Sequence, residues 1–169
     1  FTITDNTTLY AQWTANTYTI TFNTNGGTIN EGNVETYTYG VGATLPTNVT
    51  KENHQFGGWF DNSNCTGTAV TTISTTATDN KEYWAKWNPA VYTITYKDQG
   101  GANFSGQHEA GYPTTHTYNT ATTLKSASKE HYTFGGWYKE SDCSETAVTT
   151  LGATDYTNNI TLYAKWTAN

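Results

Sequence analysis

FGGWF at 56–60 and FGGWY at 134–138 are the stretches that decide the fold. Two aromatic residues flank a glycine pair, and the pattern occurs twice in 169 residues. The surroundings recur as well. YTITF at 18–22 returns as YTITY at 92–96, AVTT at 69–72 as AVTT at 147–150, and AKW at 85–87 as AKW at 164–166. Cys65 and Cys143 sit at matching places. A third, partial copy opens the chain, because TLYAQWTAN at 8–16 returns as TLYAKWTAN at 161–169. The second full copy gains about four residues between its first strand and its pentapeptide, and insertions of this kind mark loops.

The repeats divide the chain into three parts. Residues 1–16 read as the C-terminal strand of a preceding, truncated repeat, residues 17–90 as repeat 1 and residues 91–169 as repeat 2. Residues 1–13, without the rest of their repeat, are expected to fray, to pair with another chain or to borrow a sheet edge. Units this small bury little surface, so aromatic rings must supply much of each core. The chain is 15% aromatic and 13% charged, and threonine is its commonest residue. Thr, Tyr, Trp and Val favour strands, while Gly and Asn mark turns.

Within one repeat, YTITF alternates apolar and polar residues with the period of a half-buried strand. Asn25-Gly26-Gly27 is a turn signal, and residues 34–39 are a second β run, so the two are expected to form a hairpin. Extra residues, Pro113 among them, are expected to lengthen that loop in repeat 2. Residues 126–130 suit a short helix capped by Ser126. The glycine pentapeptide reads as a third strand whose glycines admit a close neighbour, most simply an aromatic ring. Residues 68–73 read as a short edge strand and residues 82–87 as the last strand.

These motifs, in this order, resemble the Listeria–Bacteroides repeat, also called the internalin B-repeat, found in tandem on bacterial surface proteins. The resemblance covers nearly the whole chain. It implies an α+β, predominantly β fold: tandem small β-grasp-like domains with at most a short helix each. The cysteine of each repeat is a departure from that pattern, and the resemblance supplies no role for it.

A net charge of −6 argues against nucleic acid as a partner and against anionic membrane surfaces. No apolar run approaches membrane-spanning length. One cysteine per repeat excludes a disulfide within a repeat and suits two free or buried thiols, and the absence of a Cys-x-x-Cys pair argues against zinc. None of the four histidines recurs at an equivalent position, so all are read as surface residues. No catalytic constellation, metal set or cofactor fingerprint is found, and no enzyme is expected.

In the last strand, alternation turns Leu9, Ala11 and Trp13 one way and Tyr10 the other. The full copies turn Tyr83, Ala85 and Trp87, and Leu162, Ala164 and Trp166, inward. Tyr10, Trp84 and Tyr163 then share the second face, either as sheet-face packing or as a platform for a sugar ring or a partner protein. Phe56, Trp59, Trp87, Phe134, Trp137 and Trp166 are expected in the cores. Both linkers between a closing tryptophan and the next strand hold four residues, which implies a fixed geometry between neighbours. The expected function is a non-enzymatic, semi-rigid spacer of a secreted or wall-attached bacterial protein that supports adhesion, with neighbouring repeats as its partners. The alternative is a glycan- or host-protein-binding module built on the second-face aromatics.

Overall fold

The period-two stretch of each repeat forms a strand, and each repeat builds the same eight strands around it. The computed structural model describes residue 6 and residues 8–169. Repeat 1 holds β1 (Thr17–Asn23), β2 (Thr28–Ile29), β3 (Thr36–Thr38), β4 (Ala43–Thr44), β5 (Val49–Thr50), β6 (His54–Phe60), β7 (Thr72–Ile73) and β8 (Lys81–Pro89). Repeat 2 holds β9 (Val91–Asp98), β10 (Gln107–His108), β11 (Thr115–Thr117), β12 (Thr122–Thr123), β13 (Ala127–Ser128), β14 (Tyr132–Tyr138), β15 (Thr150–Leu151) and β16 (Ile160–Ala168). By contacts the chain divides into two units, one reaching Lys51 and including Phe56–Trp87, the other Asn88–Asn169 with Glu52–Gln55.

Pairing repeats element for element. Each unit has a four-stranded sheet, ordered β3-β1-β8-β6 and β11-β9-β16-β14. The first and last strands of a repeat lie side by side and parallel, with Ile20 opposite Lys81 and Ile94 opposite Ile160. The hairpin partners are antiparallel, with Tyr18 opposite Tyr37 and Tyr92 opposite His116. Two small ladders complete each unit: β2 with β5 and β4 with β7 in repeat 1, β10 with β13 and β12 with β15 in repeat 2.

The fold is therefore almost all β, and several expectations change. No helix forms at 126–130: Ala127 and Ser128 pair with His108 and Gln107, and the chain then turns at Lys129. The one helical segment described is the single 3-10 turn at Gln99–Gly101. That turn also places the insertion. The segment 98–106 of repeat 2 stands where repeat 1 has only 24–27, so the extra residues lie in the first turn and Pro113 is not among them. Residues 8–16 carry no regular secondary structure, and Leu9, Tyr10 and Trp13 are 84%, 91% and 89% exposed, so the expected strand is not formed there. The strand pairing expected through residues 1–13 falls partly on residues 1–5 and 7, outside the described residues.

Each core lies on one face of its sheet. Ile20, Tyr37, Leu45, Val49, Trp59, Ile73, Tyr83 and Ala85 form the first, and Ile94, Leu124, Ala127, Trp137, Leu151, Ile160, Leu162 and Ala164 the second. The glycine pair inserts a bulge: Phe134 faces Trp166 but Trp137 faces Ala164, so β14 spends one residue more than β16. Gly136 sits in the bulge at φ +109°, and a Cβ there would stand 2.8 Å from the Ala147 methyl; Gly58, at φ +106°, meets Ala69 at the same distance. The close neighbour is thus a methyl group rather than the expected aromatic ring.

Candidate functional site

The aromatics assigned to the core have placements that follow from their chemistry. Trp59 and Trp137 are buried, and Phe56, Trp87, Phe134 and Trp166 are half-buried against the same clusters. An indole buries a large ring but carries an N–H that needs an acceptor. The Trp59 Nε1–H donates to Pro46 O at 2.8 Å and the Trp137 Nε1–H to Lys125 O at 2.7 Å. The Trp87 Nε1–H donates to Thr24 O at 2.8 Å. The Trp166 Nε1–H instead meets the carboxylate of Asp98 at 2.8 Å, and the Ser105 hydroxyl donates to the other oxygen. Burial pushes the Asp98 carboxyl up, but these hydrogen bonds and the charge of Lys129 outweigh it and hold it below the usual carboxylate range.

The closing tryptophans also explain one glycine of each first turn. A Cβ on Gly27 would run into the Trp87 ring, and one on Gly106 would stand 2.7 Å from the Trp166 ring. Asn25 holds the turn of repeat 1 from the other side, in the left-handed region at φ 49°, with its side-chain amide donating to Ala85 O at 2.7 Å.

The second face of each sheet is built from the alternate residues of the last strand. Trp84 and Tyr163 are half-buried, whereas Tyr10 is exposed and lies on no strand. Trp84 stands opposite Asn23, and Tyr163 stands between Lys97 and Tyr138. Two residues on is a lysine. The Lys86 ammonium lies 5.3 Å from the centre of the Phe60 ring, and that of Lys165 lies 5.5 Å from the centre of the Tyr138 ring. In each unit an ammonium thus covers a buried ring, a pairing held by the attraction of a cation to a π face. In repeat 1 a cleft of about 420 Å³ opens beside Trp84, between Asp61, Val70, Asn80 and Glu82. Sequence alternation finds Trp84 and Tyr163, but the lysine-over-ring contact depends on the bulge that brings Phe60 and Tyr138 alongside.

The thiols are free. Each sits in the turn after the pentapeptide at positive φ, 50° for Cys65 and 54° for Cys143. The Cys65 thiol lies 3.7 Å from Ala85 O and that of Cys143 lies 4.0 Å from Tyr163 O. Cys143 is buried, and that burial pushes its thiol up, away from the thiolate form.

The histidines depart from expectation. His131 is exposed, but His116 is fully buried and His108 is half-buried in a stack of rings. The surface reading fails because both replace core residues of repeat 1 without changing the pairing pattern around them. Among the described residues no group of His, Cys, Asp and Glu is placed to hold a metal ion. Among the described residues no helix is long and apolar enough to cross a membrane.

The model of the Listeria-Bacteroides repeat domain matches residues 18–86 and again 92–165, so this chain belongs to that family. Two relatives come from Evansella cellulosilytica. One, named "Putative membrane protein", is 36% identical over 169 residues, covering 99% of this chain and 24% of the relative. The other, named "Putative Gly-rich membrane protein", is 32% identical over 167 residues, covering 98% of this chain and 18% of the relative. The chain therefore spans a quarter or less of the relatives it matches. No solved structure matches.

Proposed function

We propose that this tandem pair is a non-enzymatic module of a bacterial cell-surface or secreted protein, serving as a semi-rigid spacer that supports adhesion. The observation that carries this reading is the connection between the repeats. β8 runs to Pro89 and β9 begins at Val91, so a single residue, Ala90, separates two strands. The four-residue linker expected from sequence is largely strand, and a one-residue junction leaves few free dihedrals. The relatives named as membrane proteins, and the tandem duplication itself, support a place at the cell surface. We further read each unit as a reduced β-grasp. The parallel pair of first and last strands is central, the hairpin partner and the pentapeptide strand flank it, and short two-stranded ladders complete the unit in place of a helix.

Backbone ¹⁵N relaxation tests the spacer. One correlation time shared by both repeats is expected, shortening in each when a flexible Gly-Ser segment is inserted after Ala90. Independent tumbling of the two repeats in the unaltered chain would sink the reading.

A second reading rests on Trp84 and its cleft. An aromatic ring beside Asp61, Asn80 and Glu82 suits a sugar, whose ring face stacks while its hydroxyls find acceptors. Tyr163 is the equivalent residue of repeat 2, and Tyr10 is a further, exposed ring, each open to a host protein or glycan on its own account. Replacing the pair of repeats by an unrelated rod of equal length separates the two: adhesion persists for a spacer and is lost for a binding module.

A further inference from the structure

Repeat 2 differs from repeat 1 inside its core, and the differences are histidines. His108 occupies the second position of β10, opposite Ala127, where repeat 1 has Ile29 opposite Val49. His116 occupies the middle of β11, opposite Tyr92, where repeat 1 has Tyr37 opposite Tyr18. Both counterparts, Ile29 and Tyr37, pack in the apolar core of repeat 1.

His116 is 0% exposed. Its Nδ1 lies 2.8 Å from Thr122 Oγ1, while its Nε2 is sealed from solvent without a hydrogen-bond partner. Tyr156 packs edge-on against the imidazole, centres 5.8 Å apart at 74°, in the place repeat 1 gives to the small Ala77. The titratable groups around it are Tyr92 on β9 and Asp155 and Tyr156 in the loop before β16. His108 is stacked on Tyr112 at 3.8 Å and on Phe104 at 4.2 Å, with Tyr96 and Trp137 closing the sides. Its Nδ1 is buried and has no partner. Tyr96 and Tyr112 are the titratable groups facing it. Glu109, next along the chain, turns to Lys125 at 3.5 Å and to the Ser126 N–H at 3.2 Å.

A protonated imidazole is a cation that donates from both nitrogens. In each of these sites one nitrogen is buried and faces no protein acceptor, so protonation would bury a charge and an unmade hydrogen bond together. We propose that repeat 2 is an acid-responsive unit whose packing around His108 and His116 loosens below neutral pH, while repeat 1, with Ile29 and Tyr37 at these positions, holds its fold.

Burial lowers both imidazoles from their ordinary value of 6.5, the Asp155 charge opposing this less strongly at His116. On acidification the unfolded chain takes up these protons first. The stability they carry is whole above the unfolded value and is lost as pH falls from there toward the folded values. Each histidine can raise the opening constant by up to about tenfold per pH unit in that window.

Hydrogen exchange of the full chain, followed by mass spectrometry and corrected for intrinsic rates, reads both repeats at once. Between about pH 7 and pH 5.5, opening of β9 and β16 is expected to rise about tenfold or more, and opening of β1 and β8 by less than about threefold. His108→Ile, and separately His116→Tyr with Tyr156→Ala, import the residues of repeat 1, and each should remove part of the response. An equal rise in both repeats, no rise, or a rise that both variants retain would overturn the proposal. NMR titration of the unaltered chain keeps the test independent of the variants: midpoints below 6.5 for both histidines are expected, and midpoints at or above it would overturn the proposal equally.

Discussion

Phe134 and Trp137 are three residues apart on one strand, yet their rings meet on the same side of the sheet, centres 5.1 Å apart at 66°. In an unbroken strand, side chains three apart point to opposite faces. The bulge at Gly135-Gly136 adds the residue that returns Trp137 to the core, and Phe56 and Trp59 repeat the contact at 5.4 Å. The pentapeptide is therefore a device for placing two aromatic rings of one strand in one core.

Gly136→Ala should be costly for two reasons that add. Its φ of +109° is poorly tolerated by any side chain, and a methyl would meet that of Ala147. A loss of about 2–4 kcal/mol is expected from urea unfolding of repeat 2. Gly135→Ala, whose Cβ would touch the lysine stem of Lys165 at 3.3 Å, should cost clearly less. Equal costs would refute the bulge argument.

Trp137→Phe keeps an aromatic ring but removes the N–H that Lys125 O accepts, and leaves a void at a residue only 2% exposed. The expected loss is about 2–4 kcal/mol, with Trp59→Phe behaving alike through Pro46 O. Unfolding midpoints followed by the fluorescence of the remaining tryptophans would measure it.

The exchange of Tyr37 and Ala77 in repeat 1 for His116 and Tyr156 in repeat 2 trades volume between two contacting places. Tyr37→His alone should destabilise repeat 1, and Ala77→Tyr alone should overfill it. Together they should recover about 0.5–3 kcal/mol of coupling in a double-mutant cycle. Strict additivity would show that the two positions do not share a cavity.

Asp98 carries a folded-state pKa below its ordinary value, so its contribution to stability is present above the unfolded value and lost as pH falls through the folded one. Asp98→Asn keeps an oxygen for the Trp166 N–H but removes the charge. The acid unfolding limb of repeat 2 should flatten below about pH 4 in this variant, while its slope near neutrality is unchanged. An unaltered acid limb would show that Asp98 is not held in its charged form.

Much of this was legible in the residues themselves. Alternation in YTITF placed β1 and β9, and the recurrence of AKW placed the inward residues of β8 and β16. Three things were not legible. The helix expected at 126–130 rested on local propensity, but Ala127 belongs to the core and is drawn into a ladder with His108, a tertiary demand that propensity does not register. The buried histidines were missed because a residue that fails to recur looks dispensable. Aligning His116 with Tyr37 and His108 with Ile29 was the available signal, since a substitution at a core position inherits the burial of the residue it replaces. In the same way the lysine-over-ring contacts needed the bulge, whose extra residue no period-two count contains.

The parallel pairing of first and last strands has a mechanical meaning. A repeat enters its sheet at the start of β1 and leaves it at the end of β8, and because the two strands run the same way these points lie at opposite ends of one ladder. Tension along the chain then pulls the strands past each other lengthwise. The hydrogen bonds from Ile20–Lys81 to Asn23–Trp84 share the load and must fail together rather than peel open in turn. Ile94–Ile160 to Asp98–Ala164 repeat the arrangement, so each repeat is a clamp that shears, and its lifetime under load is set by its unfolding rate rather than by its equilibrium stability.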